Sequence, residues 1–415
     1  MCAAAAAAPL FEVDVAIVGG GMVGASLAAA LAGSGRRLML IESAPFGTPA
    51  QPSFDERTTA LGNVSRRIFE GLAVWDGIAP EAAAIRTIHV SEAGRFGFAR
   101  LRAAEQGIDA FGYVVANRCI GAALWQRLRA APDLTLQAPA RVEDLAVTAA
   151  GARFTVIGGS GDTVSVGARL LVAADGAHSQ IRAAAGIAAA VVDYDQVAVV
   201  ANVGVDRDHE GNAYERFTPA GPLAVLPRHD GGLAVIWACR PDRAQALLAL
   251  EESAYLAQLQ AQFGWRAGRF RSAGPRSAYP LRLTRATASV ATRTVLIGNA
   301  AQALHPVAGQ GFNLGLRDAA MLAEVIAGTA GDVGAPAALG QFADWRARDR
   351  RGVVRFTDGL IRLFGDTRPG AALLRDLGLL MFDLTPPAKS ALARVSAGFG
   401  GPTPRLARGL SLPHG

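Results

Sequence analysis

Val13-Asp14-Val15-Ala16-Ile17-Val18-Gly19-Gly20-Gly21-Met22-Val23-Gly24 is the stretch that decides the fold. Six residues, apolar apart from Asp14, run into three glycines, as a buried parallel strand does when it ends in a tight turn. An alanine- and leucine-rich helix follows from about Met22 to Ala32, and Leu38–Ile41 supply the next strand. Within this strand–helix–strand unit Gly19 makes the turn, Gly21 lets a pyrophosphate reach the backbone, and Gly24 lets the helix pack on the strand. The helix N-terminus offers its N–H groups to the phosphates. Glu42 lies 18 residues past Gly24, at the end of the second strand, where a carboxylate accepts from ribose hydroxyls and repels a 2′-phosphate. The turn therefore predicts a dinucleotide site that is not for NADP. It does not separate NAD from FAD.

The rest of the composition narrows the class. At 415 residues the chain exceeds what one core supports, so two closely packed domains are expected. A hydrophobic content of 51% with 18% charge excludes a disordered or fibrous chain. The net charge of +6 is uneven: residues 341–415 hold 12 basic and 6 acidic side chains and account for all of it. A basic tail on a neutral body suits an anionic membrane surface or a partner protein, not nucleic acid. Cys2, Cys119 and Cys239 have no paired spacing, which fits a reducing compartment and predicts neither disulfide nor metal. Met1–Pro9 is a poly-alanine stretch without a basic start, read as a frayed end and not a signal peptide. No window of about 18 uninterrupted apolar residues occurs. A cytoplasmic protein is expected, in peripheral contact with the inner membrane at most.

Further along, residues 54–76 read as helical, with Ile68, Leu72 and Trp75 on one face, and 113–130 as a helix carrying Leu124 and Leu128. Trp75 and Trp125 are read as core. Residues 153–157 and 163–174 are β-prone around a turn at Gly158–Gly161. Residues 197–205, 222–227 and 233–238 follow as strands without helices between them, which predicts an antiparallel sheet forming a second domain. Thr294–Ile297 is again a short buried strand, and the last fifty residues read as helical.

Residues 295–318 read Val-Leu-Ile-Gly-Asn-Ala-Ala-Gln-Ala-Leu-His-Pro-Val-Ala-Gly-Gln-Gly-Phe-Asn-Leu-Gly-Leu-Arg-Asp. This is strand, glycine turn, proline loop, second glycine turn and helix, whose core face carries Ala319, Leu322, Ala323 and Ile326. Gly309, Gln310 and Gly311 put backbone N–H groups at the positive end of that helix, which suits the negative charge of a reduced flavin.

The segment resembles the second FAD motif of the aromatic-ring flavin hydroxylases, and is most similar to the ubiquinone-biosynthesis hydroxylases, on the 2-polyprenyl-6-methoxyphenol hydroxylase branch. The resemblance covers roughly residues 13–365. It includes Phe54-Asp55-Glu56-Arg57-Thr58-Thr59-Ala60-Leu61 beside the flavin and Gly112-Tyr113-Val114-Val115-Ala116-Asn117-Arg118, whose arginine reaches FAD in the family. It extends to the Asp175-Gly176 motif of FAD and NAD(P)H binding, and to Arg216-Phe217-Thr218-Pro219 with Gly221-Pro222-Leu223 in the sheet domain. Asn299 and Gln302 depart from it, since many relatives carry Asp and His there; the Asp accepts from the flavin ribitol, and Asn keeps an acceptor without its charge.

The resemblance implies an α/β fold: a Rossmann-like, p-hydroxybenzoate-hydroxylase-like FAD domain (1–85, 109–190 and 276–365), an inserted antiparallel-sheet substrate domain (86–108 and 191–275) and a helical C-terminal tail (366–415). It implies that NAD(P)H reduces FAD, that O₂ adds at the flavin C4a carbon, and that the hydroperoxide hydroxylates a prenylated phenol in ubiquinone biosynthesis. The alternative is a non-catalytic or reductase-type FAD-binding subunit of a quinone-biosynthesis complex. Expected cofactor contacts are Gly19, Gly21, Gly24, Glu42, Arg57, Arg118, Asp175, Gly176, Asn299, Pro306, Gly309, Gln310, Gly311 and Asn313. His305 is a tentative proton-transfer residue, and no metal is expected. Val199, Val225, Val235 and Ile236 are candidate walls of an apolar substrate site. The tail is expected either to touch an anionic membrane or to cap the FAD domain.

Overall fold

The computed structural model describes residues 11–48, 51, 55–303, 310–348 and 403–413. In chain order, β1 (Phe11–Val18), α1 (Met22–Leu31), β2 (Leu38–Ile41), β3 (Thr58–Gly62), α2 (Asn63–Gly71), α3 (Trp75–Ile78), β4 (Ala83–Ile85), β5 (Thr87–Glu92) and β6 (Phe98–Arg102) open the molecule. They are followed by β7 (Gly112–Ala116), α4 (Asn117–Arg129), β8 (Leu134–Gln137), β9 (Ala140–Val147), β10 (Ala152–Gly158), β11 (Thr163–Ala173) and α5 (Gln180–Ala184). The middle holds β12 (Ala189–Val205), β13 (Asn212–Thr218), β14 (Gly221–Pro227), β15 (Leu233–Cys239), α6 (Pro241–Ala249), α7 (Glu252–Phe263), β16 (Phe270–Ala273) and β17 (Ser277–Ala286). Last come β18 (Val290–Ala291), β19 (Thr294–Leu296), β20 (Gln302–Ala303) and α8 (Gln310–Ala327).

The first sheet runs β18-β19-β11-β1-β2-β8, with β19, β11, β1, β2 and β8 mutually parallel. Its strands are apolar along their whole length because both faces are covered. Val15, Ile17, Leu38, Leu40 and Val172 pack with α1, α4 and α8. Ala16, Met39, Ile41, Leu171 and Ala173 pack with Phe154 and Val156 of the β9–β10 hairpin.

The second sheet has the order β20-β17-β12-β15-β14-β13-β5-β6. It is antiparallel, as expected, except where β13 lies parallel to β5. A third, small sheet β3-β7-β4 lies between the two.

Two expectations need correction. Residues 54–76 are not one helix: 58–62 form β3, and the helix that follows stops at Gly71, with Ala73 at φ +56° before α3. Ile68 and Leu72 do share a buried face. Residues 113–116 likewise belong to a strand, with α4 starting at Asn117. The physical reason is the same in both places: β3 and β7 satisfy each other's backbone in register, Thr59 opposite Val115 and Leu61 opposite Tyr113. In the second sheet β12 to β15 follow one another without a helix between them, as expected, and two helices come after β15. α6 and α7 cover one of its faces, burying Leu247, Tyr255, Leu259 and Phe263 against Val199, Val235 and Trp237.

The helical reading of the last fifty residues falls mainly outside the described residues. Of that tail, 403–413 packs on the first domain: Leu406 and Ala407 join its core, and the Arg405 N–H donates to Glu324 at 2.7 Å. No helix among the described residues is long and apolar enough to cross a membrane.

Candidate active site

The first glycine turn is built by contacts that leave no space for side chains. Gly19 leaves β1 at φ +106°, and a Cβ there would lie 2.3 Å from the Ala174 carbonyl oxygen. A Cβ on Gly24 would lie 2.0 Å from the Gly19 oxygen, so helix and turn meet backbone to backbone. Gly21 caps α1 without a side-chain acceptor, and the first turn of α1 holds no acidic residue. Its N–H groups are thus left to an anionic ligand. Glu42, buried at the end of β2, receives the Gly20 N–H at 2.6 Å and the Ala44 N–H at 2.9 Å. Gln51, which the sequence reading missed, is fully buried and donates to the Gly20 carbonyl at 3.1 Å.

Asp175 and Gly176 follow β11 beside this turn. One Asp175 oxygen accepts from the Ile181 N–H at 3.2 Å; the other is buried without a partner among the described residues. Gly176 stands at φ +86° with open space where its Cβ would be.

The second turn comes from the far end of the chain and meets the first through Val23. A Cβ on Gly298 would be 3.1 Å from Val23 Cγ1, and one on Gly315 would be 2.9 Å from Val23 Cγ2. Gly298 donates its N–H to Asp318 at 2.9 Å. Asp318 is fully buried and ion-paired with Arg346, which is itself 0% exposed. Asn299 is exposed, and the space around Gly311 is open. Asn313 uses its side chain on the scaffold: its oxygen accepts from the Gly62 N–H (2.8 Å) and the Ser65 hydroxyl (2.6 Å), and its amide donates to Ala60 (2.8 Å). His305, Pro306 and Gly309 lie outside the described residues, as does the side chain of Gln310.

The two arginines named from sequence are already held by carboxylates. Arg57 pairs with Asp55 and lies 4.8 Å from the ring centre of Tyr279 on β17. Arg118 reaches Glu81 at 2.6 Å and Glu56 at 2.9 Å, which holds the Glu81 carboxyl below its ordinary range. A guanidinium has five donors, so these pairs leave room for a further acceptor. Asn117, also missed, clamps this segment: it donates to Asp55 at 3.0 Å and accepts from Thr59 at 2.7 Å. Cys119 carries no thiolate chemistry, because burial pushes its thiol up to about 12.

The second sheet turns one face toward this segment. Tyr279 lies under Arg57, and Asn202 on the same face reaches the Glu56 carbonyl at 3.4 Å. Register places Ala198 opposite Tyr279 and Ala238, and Val200 opposite Ile236. Of the four candidate wall residues, therefore, only Ile236 lies on the face toward Glu56 and Arg57. Val199, Val225 and Val235 point the other way, under α6 and α7, each at 0% exposure. Alternation along a strand separates two faces without saying which one a helix covers.

These residues fit a bound FAD: a cradle that any Cβ would fill, a bare helix N-terminus, an unpartnered Asp175 oxygen and a second turn pressed against the first. Comparisons agree. The family described as "FAD binding domain" matches residues 12–357. The chain is 39% identical to ubiquinone hydroxylase UbiL of Rhodospirillum rubrum over 96% of this chain and 93% of that protein. It is 32% identical to 3-demethoxyubiquinol 3-hydroxylase of Escherichia coli over 88% of this chain and 94% of that one. In fold it is similar to p-nitrophenol 4-monooxygenase PnpA from Pseudomonas putida, with a TM-score of 0.77 and 21% identity across 94% and 99% of the two chains. The chain belongs to the FAD-binding aromatic-ring monooxygenases, in the group of the ubiquinone-biosynthesis hydroxylases, with FAD as cofactor and NAD(P)H as its reductant.

Proposed function

We propose that this enzyme hydroxylates the ring of a prenylated phenol on the route to ubiquinone, with O₂ as oxidant. The observation that carries the reading is the meeting of the two glycine turns through Val23, together with the contact of Glu56 and Arg57 with the sheet face that carries Ala198, Ala238 and Ile236. When bound, reduced FAD supplies the activation of O₂ and the oxygen atom transferred.

The chain's own residues hold and orient. Gly19, Gly21 and the start of α1 take the pyrophosphate, and Glu42 the adenosine ribose. Asp175, through its unpartnered oxygen, and Gly176 line the cofactor's middle. Asn299 takes the ribitol, and Gly309, Gln310 and Gly311 the isoalloxazine. Arg57 and Arg118, kept in place by Asp55, Glu56 and Glu81, border it. Asn313 contributes by tying α8 to β3 and α2. The apolar sheet face excludes water from the ring being oxidised. The domain division at 86–108 and 191–275, and a peripheral membrane contact by the tail 366–415, belong to the same proposal; within that tail 403–413 packs on the FAD domain.

The test is turnover of a short-chain prenylated phenol under ¹⁸O₂ with NADPH or NADH. One labelled oxygen in the product, from protein carrying about one FAD per chain, is the expected result. Reductant oxidation without label in the phenol would replace the proposal with a reductase, and a colourless protein that takes up no FAD would leave a non-catalytic subunit.

A further inference from the structure

Glu215 lies on the face of the second sheet that carries Tyr279, and the reading above does not use its chemistry. On β13 the side chains alternate. Tyr214 and Arg216 lie on the helix-covered face, where Tyr214 meets Phe263 and Arg216 donates to the Gln262 carbonyl at 3.1 Å. Ala213, Glu215 and Phe217 lie on the other. Ala213 packs there with Ala83 and Val114 of the small sheet, next to β3 and its link to α8. Register carries Glu215 across the sheet in one row, opposite Ala224, which is opposite Ile236, then Val200 and Ser277. The neighbouring row is Phe217, Pro222, Ala238, Ala198 and Tyr279, the last under the Arg57 guanidinium. Three of these positions are alanine, and Ala198 and Ala238 pack with Leu281, so the row that runs from Glu215 is apolar and small.

The carboxylate itself is half-buried and makes no hydrogen bond or ion pair with any described residue. Burial alone, with no charged neighbour contributing, pushes its pKa up to about 7. Glu92, one pair along on β5, is on its face, and Arg57 lies four strands away over Tyr279; His89, Arg216 and Arg266 belong to the opposite face. A carboxylate kept in an apolar setting without a partner costs stability, and such groups concentrate where protons are moved.

We infer that Glu215 is the proton acceptor for the substrate's phenol hydroxyl. The phenol O–H bond breaks, a Glu215 carboxylate oxygen takes the proton, and the electron pair stays on the phenolate oxygen, making the ring more nucleophilic toward the incoming oxygen; no electrons change hands. The inference rests on the hydroxylase reading. It goes beyond it in naming the base.

The test uses the full-length, FAD-loaded enzyme and Glu215→Gln, which keeps the shape of the side chain and removes its titration. In the native enzyme kcat should rise with pH through about 7. In Glu215→Gln it should fall by about a hundredfold, and the rising limb should move up toward the phenol's own ionisation. Glu215→Asp should keep the limb at reduced kcat, and carries the test should the glutamine variant fold poorly. A readout without turnover is the affinity of the phenol relative to its methyl ether, followed through the oxidised flavin spectrum. The native enzyme should favour the phenol by about tenfold above pH 7 and lose that preference below it, because only the ionised carboxylate accepts a charge-assisted bond from the hydroxyl. In Glu215→Gln the ratio should not change with pH. Identical limbs and identical phenol-to-ether ratios in native and Glu215→Gln enzyme would overturn the assignment while leaving the hydroxylase reading intact. Absence of FAD or of label in the product, read beforehand on the native protein, overturns the parent reading and this one with it.

Discussion

The two glycine turns do the same job by opposite means. The first, residues 19–24, is contiguous, and it exists because side chains are missing: its close contacts run from Gly24 to the Gly19 oxygen and from Gly19 to the Ala174 oxygen. The second spans Gly298 to Gly311 and exists because a few buried polar side chains are present. Asp318 holds the Gly298 N–H, Arg346 holds Asp318, and Asn313 fastens α8 to Gly62, Ser65 and Ala60. A turn of the first kind breaks when an atom is added. One of the second kind breaks when a partner is taken away.

That difference can be forced into the open. The largest effect is expected from Arg346→Leu, which takes the ion-pair partner from the fully buried Asp318 carboxylate and leaves only its longer-range attraction to Arg317. Breaking such a pair costs about 3–5 kcal/mol, far more than the intact pair contributes. The melting temperature and flavin content should fall together, and adding Asp318→Asn to the same protein should recover part of the loss, because the stranded charge is gone. If Arg346→Leu melts like the native enzyme, the second turn does not depend on this pair.

Gly24→Ala adds one carbon at 2.0 Å from a backbone oxygen, a clash that α1 must relieve by moving off the sheet. Overpacking of this kind costs about 1–3 kcal/mol. The diagnostic outcome is selectivity: flavin should be lost in a protein whose sheet, by circular dichroism and proteolysis, remains folded. A variant that retains its full complement of FAD would show that the first turn tolerates what its geometry forbids.

The same contrast explains what could be read in the sequence. β1, α1, β2 and the acid Glu42 were legible because each of their determinants is local: an apolar run, three glycines at fixed spacing, a second apolar run. β3 and β7 read as the starts of helices, although Thr58-Thr59 and Tyr113-Val114-Val115 are β-prone, because helical periodicity downstream extends back over them. α6 and α7 were missed despite Pro241 at a helix start and a run rich in Ala, Leu and Gln. Missing them put Val199, Val225 and Val235 on the wrong side, since only the covering helices distinguish the two faces. Glu215 was hidden for a further reason. A charged residue flanked by Tyr214 and Arg216 reads as solvent-facing, and only cross-strand register shows that its neighbours are Ala224 and Ile236. The supports of the second turn were invisible in principle, because Gly62, Ser65 and Arg346 are named by tertiary structure alone.

The smallest and most discriminating change lies at Asn299, where the chain departs from many of its relatives. Asn299 is exposed at the second turn, so restoring a carboxylate there meets no desolvation penalty in the apoprotein. On the proposed contact to the ribitol, Asn299→Asp exchanges a neutral acceptor for a charged one. Charge-assisted bonds are roughly twice as strong, so a gain of about 1 kcal/mol in FAD binding is expected, several-fold in affinity. Stability without FAD should be unchanged, because among the described residues Asn299 makes no hydrogen bond to the scaffold, unlike Asn313. Measured by equilibrium dialysis of FAD alongside melting of the apoprotein, the two quantities should separate. An Asn299→Asp protein that binds FAD no tighter, or that changes apoprotein stability instead, would move Asn299 from the cofactor side of the second turn to its structural side.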